Sequence, residues 1–381
     1  MSIDTRLLRE SWALVADVSD KVAAQFYGML FSRYPAVRAL FPVVMDAQRD
    51  RLLNALTYFV FNIDDLGTVT AYLRELGRDH RKFDVGPEHY PVVGRCLIAA
   101  IRANAGDAWT SAYDDAWMAA YEMIATIMID AAAEDAGSRP PYWTARVVAH
   151  EQRSAETAVL TVEPSQAYPF HAGQYATIQT ARWPRIWRSY SIANAPRQDN
   201  LLTFHVRLIP GGWVSTTLAH RTSIGDQLLI GPPRGAMTLP SPRPERLLCL
   251  AGGTGLAPLK AIIEETLRAT PDPDITLFHG VRRQQDLYDH SDLMRLAATP
   301  GRFRLITAVS DDPSYLPRQT IADVIGQDDV EGSPATFVCG PGEMVLATLN
   351  RLAELGLPAH HIRSEPDGGE LTQRLRVHAP T

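Results

Sequence analysis

The sequence predicts a multidomain protein with an all-α part, then an antiparallel β-barrel, then an α/β part with a parallel sheet. A chain of 381 residues corresponds to two or three domains at roughly 100–200 residues each. Its first third shows helical periodicity with few glycines, and the remainder shows short strands that later alternate with helical stretches. These changes of pattern predict domains at 1–136, 140–243 and 244–381, with a linker at 137–141.

Apolar side chains three and four residues apart predict amphipathic helices in the first domain. These side chains are Trp12, Val15, Ala16, Phe26, Leu30 and Phe31, then Leu52, Leu53, Leu56, Phe59, Val60 and Ile63, and later Trp117, Tyr121, Ile124 and Met128. No run of alternating strand character interrupts them. We therefore expect an all-α domain.

Short strands separated by turn residues predict a small antiparallel barrel in the second domain. The predicted strands are 145–149, 157–162, 175–179, 189–193, 202–208 and 226–230. From Arg246, strands at 247–251, 275–279, 303–308 and 336–339 alternate with helical stretches, which predicts a mostly parallel sheet. We expect the tail after Gly368 to be disordered.

Composition and charge exclude several classes of function. The net charge of −6 argues against nucleic-acid binding. The cysteines Cys96, Cys249 and Cys339 are far apart, so neither a disulfide framework nor a zinc site is expected. The N-terminus is charged and amphipathic rather than a signal peptide, and no apolar run reaches the ~18 residues of a membrane span. We expect a cytoplasmic protein, monomeric or dimeric.

The all-α domain contains a candidate haem ligand. Its histidines are His80 and His89. His80 ends an amphipathic stretch just before the helix-starting pair Gly86-Pro87, which suits an iron ligand at the end of a helix. His89 is expected to be exposed. A histidine on a helix is more often structural, so the assignment depends on its surroundings.

Those surroundings are four runs of residues along the domain. They are 25–31 (QFYGMLF), 34–41 (YPAVRALF), 48–52 (QRDRL) and 80–83 (HRKF). With them the domain resembles the globin domain of bacterial flavohaemoglobins. The resemblance implies haem b with His80 as proximal ligand, Tyr27 and Gln48 as distal groups that stabilise oxygen, Leu52 over the iron and Phe41 packed on the haem. Phe41 and Leu52 also suit an ordinary core.

The second domain carries ordered motifs that resemble the ferredoxin-reductase-like flavin domain. The strand motif is Arg188-Ser189-Tyr190-Ser191, preceded by Gln174-Tyr175 and followed by Gly211-Gly212-Trp213-Val214-Ser215. The resemblance implies FAD, with Arg188 at its phosphate, Tyr190 against the isoalloxazine ring and Ser191 near N5. The glycines let backbone N–H groups approach the pyrophosphate, and Ser215 is expected to add a hydroxyl contact.

The third domain carries a candidate nicotinamide site. The strand 247–251 leads into Gly252, Gly253, Thr254 and Gly255, with Pro258 in the first helical turn, an arrangement that can hold a pyrophosphate. The run Cys339-Gly340-Pro341 resembles the motif beside the nicotinamide in the same reductases. Arg282 or Arg283 is a candidate for an adenosine 2′-phosphate or is simply solvated, which leaves NADH and NADPH both open.

Two positions depart from the flavohaemoglobin pattern. The family has a proximal glutamate that helps hold a tyrosine and the histidine, but counting from Trp117 places Ala132 there. Tyr90 retains the tyrosine, and its carboxylate is missing unless Glu134 or Glu122 substitutes. A carboxylate-bonded histidine donates more strongly to iron, so its loss should raise the haem potential. The second departure is Glu365, which is retained without the aromatic residue that covers the flavin.

The resemblance as a whole implies an NAD(P)H-dependent oxidoreductase that passes electrons through FAD to a globin haem. Oxygen and nitric oxide would be its small-molecule ligands, and conversion of nitric oxide to nitrate its reaction. The departures leave open a divergent enzyme that oxidises another donor, such as a 2-hydroxy acid, at the flavin with the haem as acceptor. A gas sensor without turnover is a further alternative.

Overall fold

The computed structural model describes residues 3–298 and 302–366, which divide into two compact units between Tyr142 and Trp143. The predicted disordered tail after Gly368 lies outside these residues. Each unit has its own hydrophobic core.

The first unit is helical. Its α-helices are α1 (Thr5–Ala13), α2 (Ser19–Arg33), α3 (Asp46–Asn62), α4 (Leu66–His80), α5 (His89–Ala105) and α6 (Ser111–Ala136). Side-chain caps begin several of them: Asp65, for example, accepts a hydrogen bond from the Thr68 N–H at the start of α4, satisfying a donor that the helix leaves free. A 3₁₀ segment, Pro35–Leu40, separates α2 from α3.

The core of this unit forms from the apolar faces that the periodicity predicts. Phe26 on α2, Phe59 on α3 and Trp117 on α6 are fully buried. The indole N–H of Trp117 donates to the Ser11 hydroxyl at 2.9 Å, which satisfies the polar atom of this buried side chain. The all-α prediction is confirmed.

Helix α6 is long and apolar enough to cross a membrane when judged by length and composition alone. Core helices of globular proteins pass the same test. In this fold α6 packs against α1, α4 and α5, and its position is that of a helix within the bundle.

The second unit begins with an antiparallel sheet. Its strands are β1 (Trp143–Gln152), β2 (Thr157–Pro164), β3 (Tyr175–Thr180), β4 (Arg188–Ser191), β5 (Leu202–Arg207) and β6 (Gln227–Ile230), in the spatial order β4-β3-β6-β1-β2-β5. A bridge between Ile192 and Phe204 brings the two edges together and nearly closes the sheet. Helix α7 (Trp213–His220) follows β5.

A parallel sheet follows within the same unit. Its strands are β7 (Arg246–Gly252), β8 (Asp274–Val281), β9 (Arg302–Val309), β10 (Ala335–Gly340) and β11 (Ile362–Pro366), in the order β11-β10-β7-β8-β9. The helices are α8 (Leu256–Ala269), α9 (His290–Ala297), α10 (Ile321–Val324), α11 (Gln327–Val330) and α12 (Gly342–Glu354). The predicted fold class is confirmed for both sheets.

Candidate functional site

The helices of the first unit enclose an apolar cavity of about 1060 Å³, a volume that includes the space at its mouth. Its wall is built by side chains from α2, α3, α4, α5 and α6 and from the 3₁₀ segment between α2 and α3. They include Tyr27, Leu40, Phe41, Gln48, Leu52, Phe59, Leu76, His80, His89, Tyr90, Leu97, Tyr121 and Met128.

His80 is the last residue of α4 and lines this cavity. Its Nδ1 donates to the Leu76 carbonyl oxygen at 2.7 Å, which leaves Nε2 as the nitrogen with a free lone pair. Burial lowers the pKa of His80, so the imidazole is neutral. A neutral imidazole held through Nδ1–H is the form that ligates iron, and the apolar wall suits a porphyrin. These residues fit haem.

The expected distal residues line the same cavity. Tyr27 is buried on α2. Its hydroxyl donates a long hydrogen bond, 3.4 Å, to the backbone carbonyl oxygen of Gln48. Burial raises the pKa of Tyr27 to about 12, so its hydroxyl keeps the proton that a donor needs. Gln48 and Leu52 are one turn apart on α3, which places them on one helix face. The Phe41 ring packs edge-on against the Tyr27 ring at 5.6 Å.

The missing proximal carboxylate is not supplied by either predicted substitute. Glu134 forms an ion pair with Arg74, and Glu122 is exposed. Tyr90 is buried at the cavity wall, and its backbone carbonyl accepts a hydrogen bond from the Tyr121 hydroxyl at 2.8 Å. The carbonyl of Leu76 is therefore the partner that holds His80.

The expected exposure of His89 is wrong. Its side chain retains 22 % exposure and lines the cavity. The helix begins two residues after Pro87, at His89 itself, and Nδ1 of His89 accepts the Gly86 N–H at 2.8 Å. This local bond turns the ring back toward its own turn and away from solvent.

The barrel brings the two flavin motifs side by side. In the antiparallel pair of β3 and β4, Tyr175 lies opposite Ser191, and Ala176 lies opposite Tyr190. Ser189 is the strand residue opposite Thr177. The side chain of Arg188 is exposed, with Nη1 donating to the Trp187 carbonyl oxygen. An exposed guanidinium beside a tyrosine and a serine fits a flavin with its phosphate.

The turn before α7 is shaped by its glycines. Gly211 has a φ of +73°, and a Cβ on Gly212 would lie 2.6 Å from the Ser215 Oγ. The hydroxyl of Ser215 accepts the Ile209 N–H and donates to the Gly212 carbonyl. Val214 is buried in the barrel core. This turn therefore offers backbone N–H groups at a helix start to an anion, while the expected hydroxyl of Ser215 is used within the turn.

The two nicotinamide motifs approach each other backbone to backbone at the carboxyl edge of the parallel sheet. A Cβ on Gly255 would lie 2.3 Å from the Cys339 carbonyl oxygen, and one on Gly340 would lie 2.9 Å from the Gly252 Cα. The segment Gly253–Gly255, which includes Thr254, forms a 3₁₀ turn into α8. Pro258 is in the first turn of α8 and Pro341 caps α12. A glycine cradle after a strand fits a dinucleotide pyrophosphate.

Glu365 joins the flavin and nicotinamide motifs. In the parallel pair of β10 and β11 it lies beside Cys339. A Cβ placed on Gly235 would lie 3.6 Å from the Oε1 of Glu365 and 3.2 Å from the Tyr175 ring, so Gly235 lies between the two side chains. Strand β11 therefore places a carboxylate next to both motifs. Strand β11 itself is not predicted from the sequence, because Ile362–Pro366 is short and mostly polar.

Domain models match the chain in the same order as the folded parts. The Globin family matches residues 24–128, the Oxidoreductase FAD-binding domain 144–239 and the Oxidoreductase NAD-binding domain 249–349. A flavohemoprotein of Bacillus subtilis (strain 168) is 24% identical, and the alignment covers 96% of this chain and 97% of that protein. The chain belongs to the flavohaemoglobin family.

A solved structure shares the fold of this chain, and a reductase component matches part of it. The flavohemoglobin of Malassezia yamatoensis, whose structure has bound FAD and heme, superposes with a TM-score of 0.75 at 19% identity, covering 96% of this chain and 98% of that one. The ferredoxin–NAD(P)⁺ reductase component of the Pseudomonas putida naphthalene 1,2-dioxygenase system is 33% identical over 58% of this chain and 67% of its own length. This flavohaemoglobin is thus an NAD(P)H-dependent oxidoreductase with haem, FAD and nicotinamide as cofactors.

Proposed function

We propose that this flavohaemoglobin consumes nitric oxide. One NAD(P)H, two oxygen and two nitric oxide molecules would give two nitrates, NAD(P)⁺ and a proton. FAD, held by Arg188, Tyr190 and Ser191, would supply the conversion of a hydride into single electrons, and haem, held by His80, would supply an iron that binds a diatomic gas. The protein's own contribution is to hold these groups, to exclude water from the gas-binding cavity and to place donors there.

The observation that carries the proposal is the pairing of Tyr27 with His80 in one apolar cavity. His80 presents a neutral ring nitrogen to the cavity. The Tyr27 hydroxyl, protonated at neutral pH, is a hydrogen-bond donor in low-dielectric surroundings, where such bonds are strong. Gln48 and Leu52 complete the polar and apolar parts of the same wall. A strong donor in an apolar cavity favours retention of oxygen for chemistry over its release.

At the reductase end, we propose that Arg188, Tyr190 and Ser191 bind FAD and that Gly252–Gly255 binds the nicotinamide dinucleotide. Glu365 would then contact the region where the two meet. The donor is NADH or NADPH, with Arg282 or Arg283, both exposed, as candidates for contact with a 2′-phosphate. We also propose a cytoplasmic location and three domains, at 1–136, 140–243 and 244–381.

The test is consumption of nitric oxide by the purified holoprotein in the presence of oxygen and NADH or NADPH, followed with a nitric oxide electrode and nitrate assay. We expect catalytic consumption with nitrate as product. The matched control is the Tyr27→Phe variant, which should keep flavin reduction and lose most of the nitric oxide consumption. A wild-type rate no faster than free haem would contradict the proposal.

A second candidate function is oxidation of another donor at the flavin, with the haem as acceptor. It is favoured by Ala132, since Glu134 is engaged with Arg74 and Glu122 is exposed, so that neither of the two predicted substitutes replaces the carboxylate. Anaerobic flavin reduction by NADH, NADPH and a 2-hydroxy acid such as lactate separates the two candidates. Fast reduction by lactate and slow reduction by both nicotinamides would favour this second function.

A further inference from the structure

A buried polar pair joins the barrel to the parallel sheet inside the second unit. His205 on β5 is 4% exposed, although its strand neighbours Phe204 and Val206 are apolar and fully buried. Its Nδ1 is hydrogen-bonded to the Tyr288 hydroxyl at 2.7 Å, and the two rings are perpendicular with centroids 5.2 Å apart. Burying a histidine in an apolar strand is costly unless it is hydrogen-bonded. The contact is therefore a specific link between strand β5 of the barrel and the loop before α9.

A second contact continues from Tyr288 to the glycine loop. The ring of His279, on β8, is perpendicular to the Tyr288 ring at 6.2 Å. Its Nε2 donates to the Gly253 carbonyl oxygen at 3.2 Å, and Gly253 has a φ of +53°. A continuous path of buried side chains thus runs from the barrel strand to the first residue of the Gly253–Gly255 turn.

An ion-pair cluster holds the segment that carries Tyr288. The adjacent Asp289 is fully buried and accepts from the Lys260 Nζ of α8 at 2.6 Å. Asp292, in the first turn of α9, pairs with Lys260 at 3.5 Å and with Arg153, just beyond β1, at 3.2 Å. The barrel and the parallel sheet each contribute a cation, so the position of Tyr288 is fixed from both sides.

The charged and titratable groups that face His205 are Lys260, Arg153, His279 and Asp292. Buried polar atoms without a hydrogen-bond partner among the residues 3–298 and 302–366 include Nε2 of His205 and Nδ1 of His279. The hydrogen bonds that the two histidines do make, from His205 to Tyr288 and from His279 to Gly253, are what favour one geometry. Here that geometry is the placement of one sheet on the other.

We propose that Tyr288 is a positioning residue for hydride transfer, since its contacts to His205 and His279 fix the glycine loop relative to the flavin barrel. The inference rests on the proposed role of Gly252–Gly255 in binding the nicotinamide. β4 and the glycine loop belong to different sheets. The distance between flavin and nicotinamide therefore depends on how the two sheets are held relative to each other. A displacement of 1 Å between reacting groups reduces a rate by about 100-fold.

The test uses the Tyr288→Phe variant of the full holoprotein, which retains the ring and removes the hydroxyl. The matched control is Tyr168→Phe, which removes another buried hydroxyl from the same unit, one bonded to the Gly231 carbonyl at 2.7 Å. Hydrogen exchange of the loop amides 253–256 is the first readout. We expect faster exchange in Tyr288→Phe and unchanged exchange in Tyr168→Phe.

Anaerobic stopped-flow reduction of the flavin by saturating NADH and NADPH is the second readout. We expect Tyr288→Phe to slow hydride transfer about tenfold, with a full deuterium isotope effect from 4-deuterated nicotinamide and unchanged flavin and haem contents. The double variant His205→Leu/Tyr288→Phe, which removes both polar partners, should lose no more than Tyr288→Phe alone. Wild-type loop exchange in Tyr288→Phe, or equal effects in Tyr168→Phe, would overturn the inference.

These readouts separate the inference from the function on which it rests. If the wild-type flavin is not reduced by either nicotinamide, the proposed role of the glycine loop fails, whatever the exchange data show. If the wild-type flavin is reduced and the hydride-transfer rate of Tyr288→Phe equals it, the inference alone fails. The positioning role requires both altered exchange and slower transfer.

Discussion

Asp135 forms a buried ion pair with Arg81, the residue that directly follows His80. The two side chains are 6 % and 12 % exposed, and Asp135 also accepts from Nε of Arg139 at 2.8 Å. The end of α6 is thereby tied to the end of α4, the helix that carries the proposed iron ligand. The Asp135 carboxylate is therefore engaged with two arginines that hold the end of this helix.

The Asp135→Asn variant should lose stability in the globin unit. Removing one partner of a buried ion pair costs about 3–5 kcal/mol, because the other charge is left uncompensated. Urea unfolding followed by haem absorbance measures this loss. The control is Glu134→Gln, which breaks the more exposed pair with Arg74 and should cost no more than about 1 kcal/mol. Equal effects of the two substitutions would contradict the account of Asp135.

The Tyr27→Phe variant should release oxygen about tenfold faster than the wild type. The reason is the loss of one buried hydrogen-bond donor, worth about 1.4 kcal/mol. Stopped-flow oxygen dissociation from the reduced protein measures the effect. Tyr113→Phe changes a tyrosine on α6 that is not among the cavity-lining side chains and serves as control. An unchanged rate in Tyr27→Phe would show that this hydroxyl does not reach the gas.

The Ala132→Glu variant should strengthen donation from the proximal histidine. A carboxylate returned to this position of α6, where Ala132 is half-buried, would raise the basicity of the ligand and lower the haem potential. The iron–histidine stretching frequency, measured by resonance Raman spectroscopy, should rise. Ala133→Glu, at the exposed neighbouring position, is the control. An unchanged iron–histidine frequency in Ala132→Glu would show that a carboxylate at this position does not strengthen donation from the histidine.

The stability of the second unit should fall as the pH falls below about 6.5. Burial lowers the pKa of His279 to about 4, so the folded state stays neutral where the unfolded histidine takes up a proton near pH 6.5. Each such group costs about 1.4 kcal/mol per pH unit between these values. Asp289 opposes this trend, because burial raises its pKa to about 6 and the folded state binds the proton first.

Urea unfolding of the holoprotein at about pH 7.5 and 5.5 measures this dependence. Unfolding is monitored by the rise in flavin fluorescence as FAD is released. His279→Asn removes the titrating ring and should flatten the dependence by about 1 kcal/mol over that interval. His220→Asn, which changes an exposed histidine at the end of α7, should leave the dependence as it is in the wild type. The same slope in His279→Asn and the wild type would show that His279 is not buried neutral.

Local pattern was enough to predict the fold class and to identify the candidate motifs. Helical spacing around Phe26, Phe59 and Trp117 reports burial directly, because each residue lies on the inward face of its helix. The strand motif at Arg188 and the glycines at Gly252 carry their chemistry in consecutive residues. Signals of this kind can be recognised in a single sequence.

Contacts between distant residues could not be predicted in this way. His205 and Tyr288 are 83 residues apart, and neither belongs to a motif, so only the packing of two sheets brings them together. Arg81 and Asp135 are likewise brought together by the packing of α4 on α6. The orientation of His89 depends on one backbone N–H of Gly86. Side-chain partners of this kind depend on the tertiary structure.

The most direct test of the electron path is anaerobic stopped-flow absorption spectroscopy of the purified holoprotein mixed with NADH or NADPH in the presence of carbon monoxide. We expect that the flavin is reduced first and that the haem then becomes ferrous and is trapped by carbon monoxide. A His80→Ala variant reconstituted with haem should retain the flavin phase and lose the normal haem phase. A haem that stays ferric while the flavin is fully reduced by each nicotinamide would contradict the account.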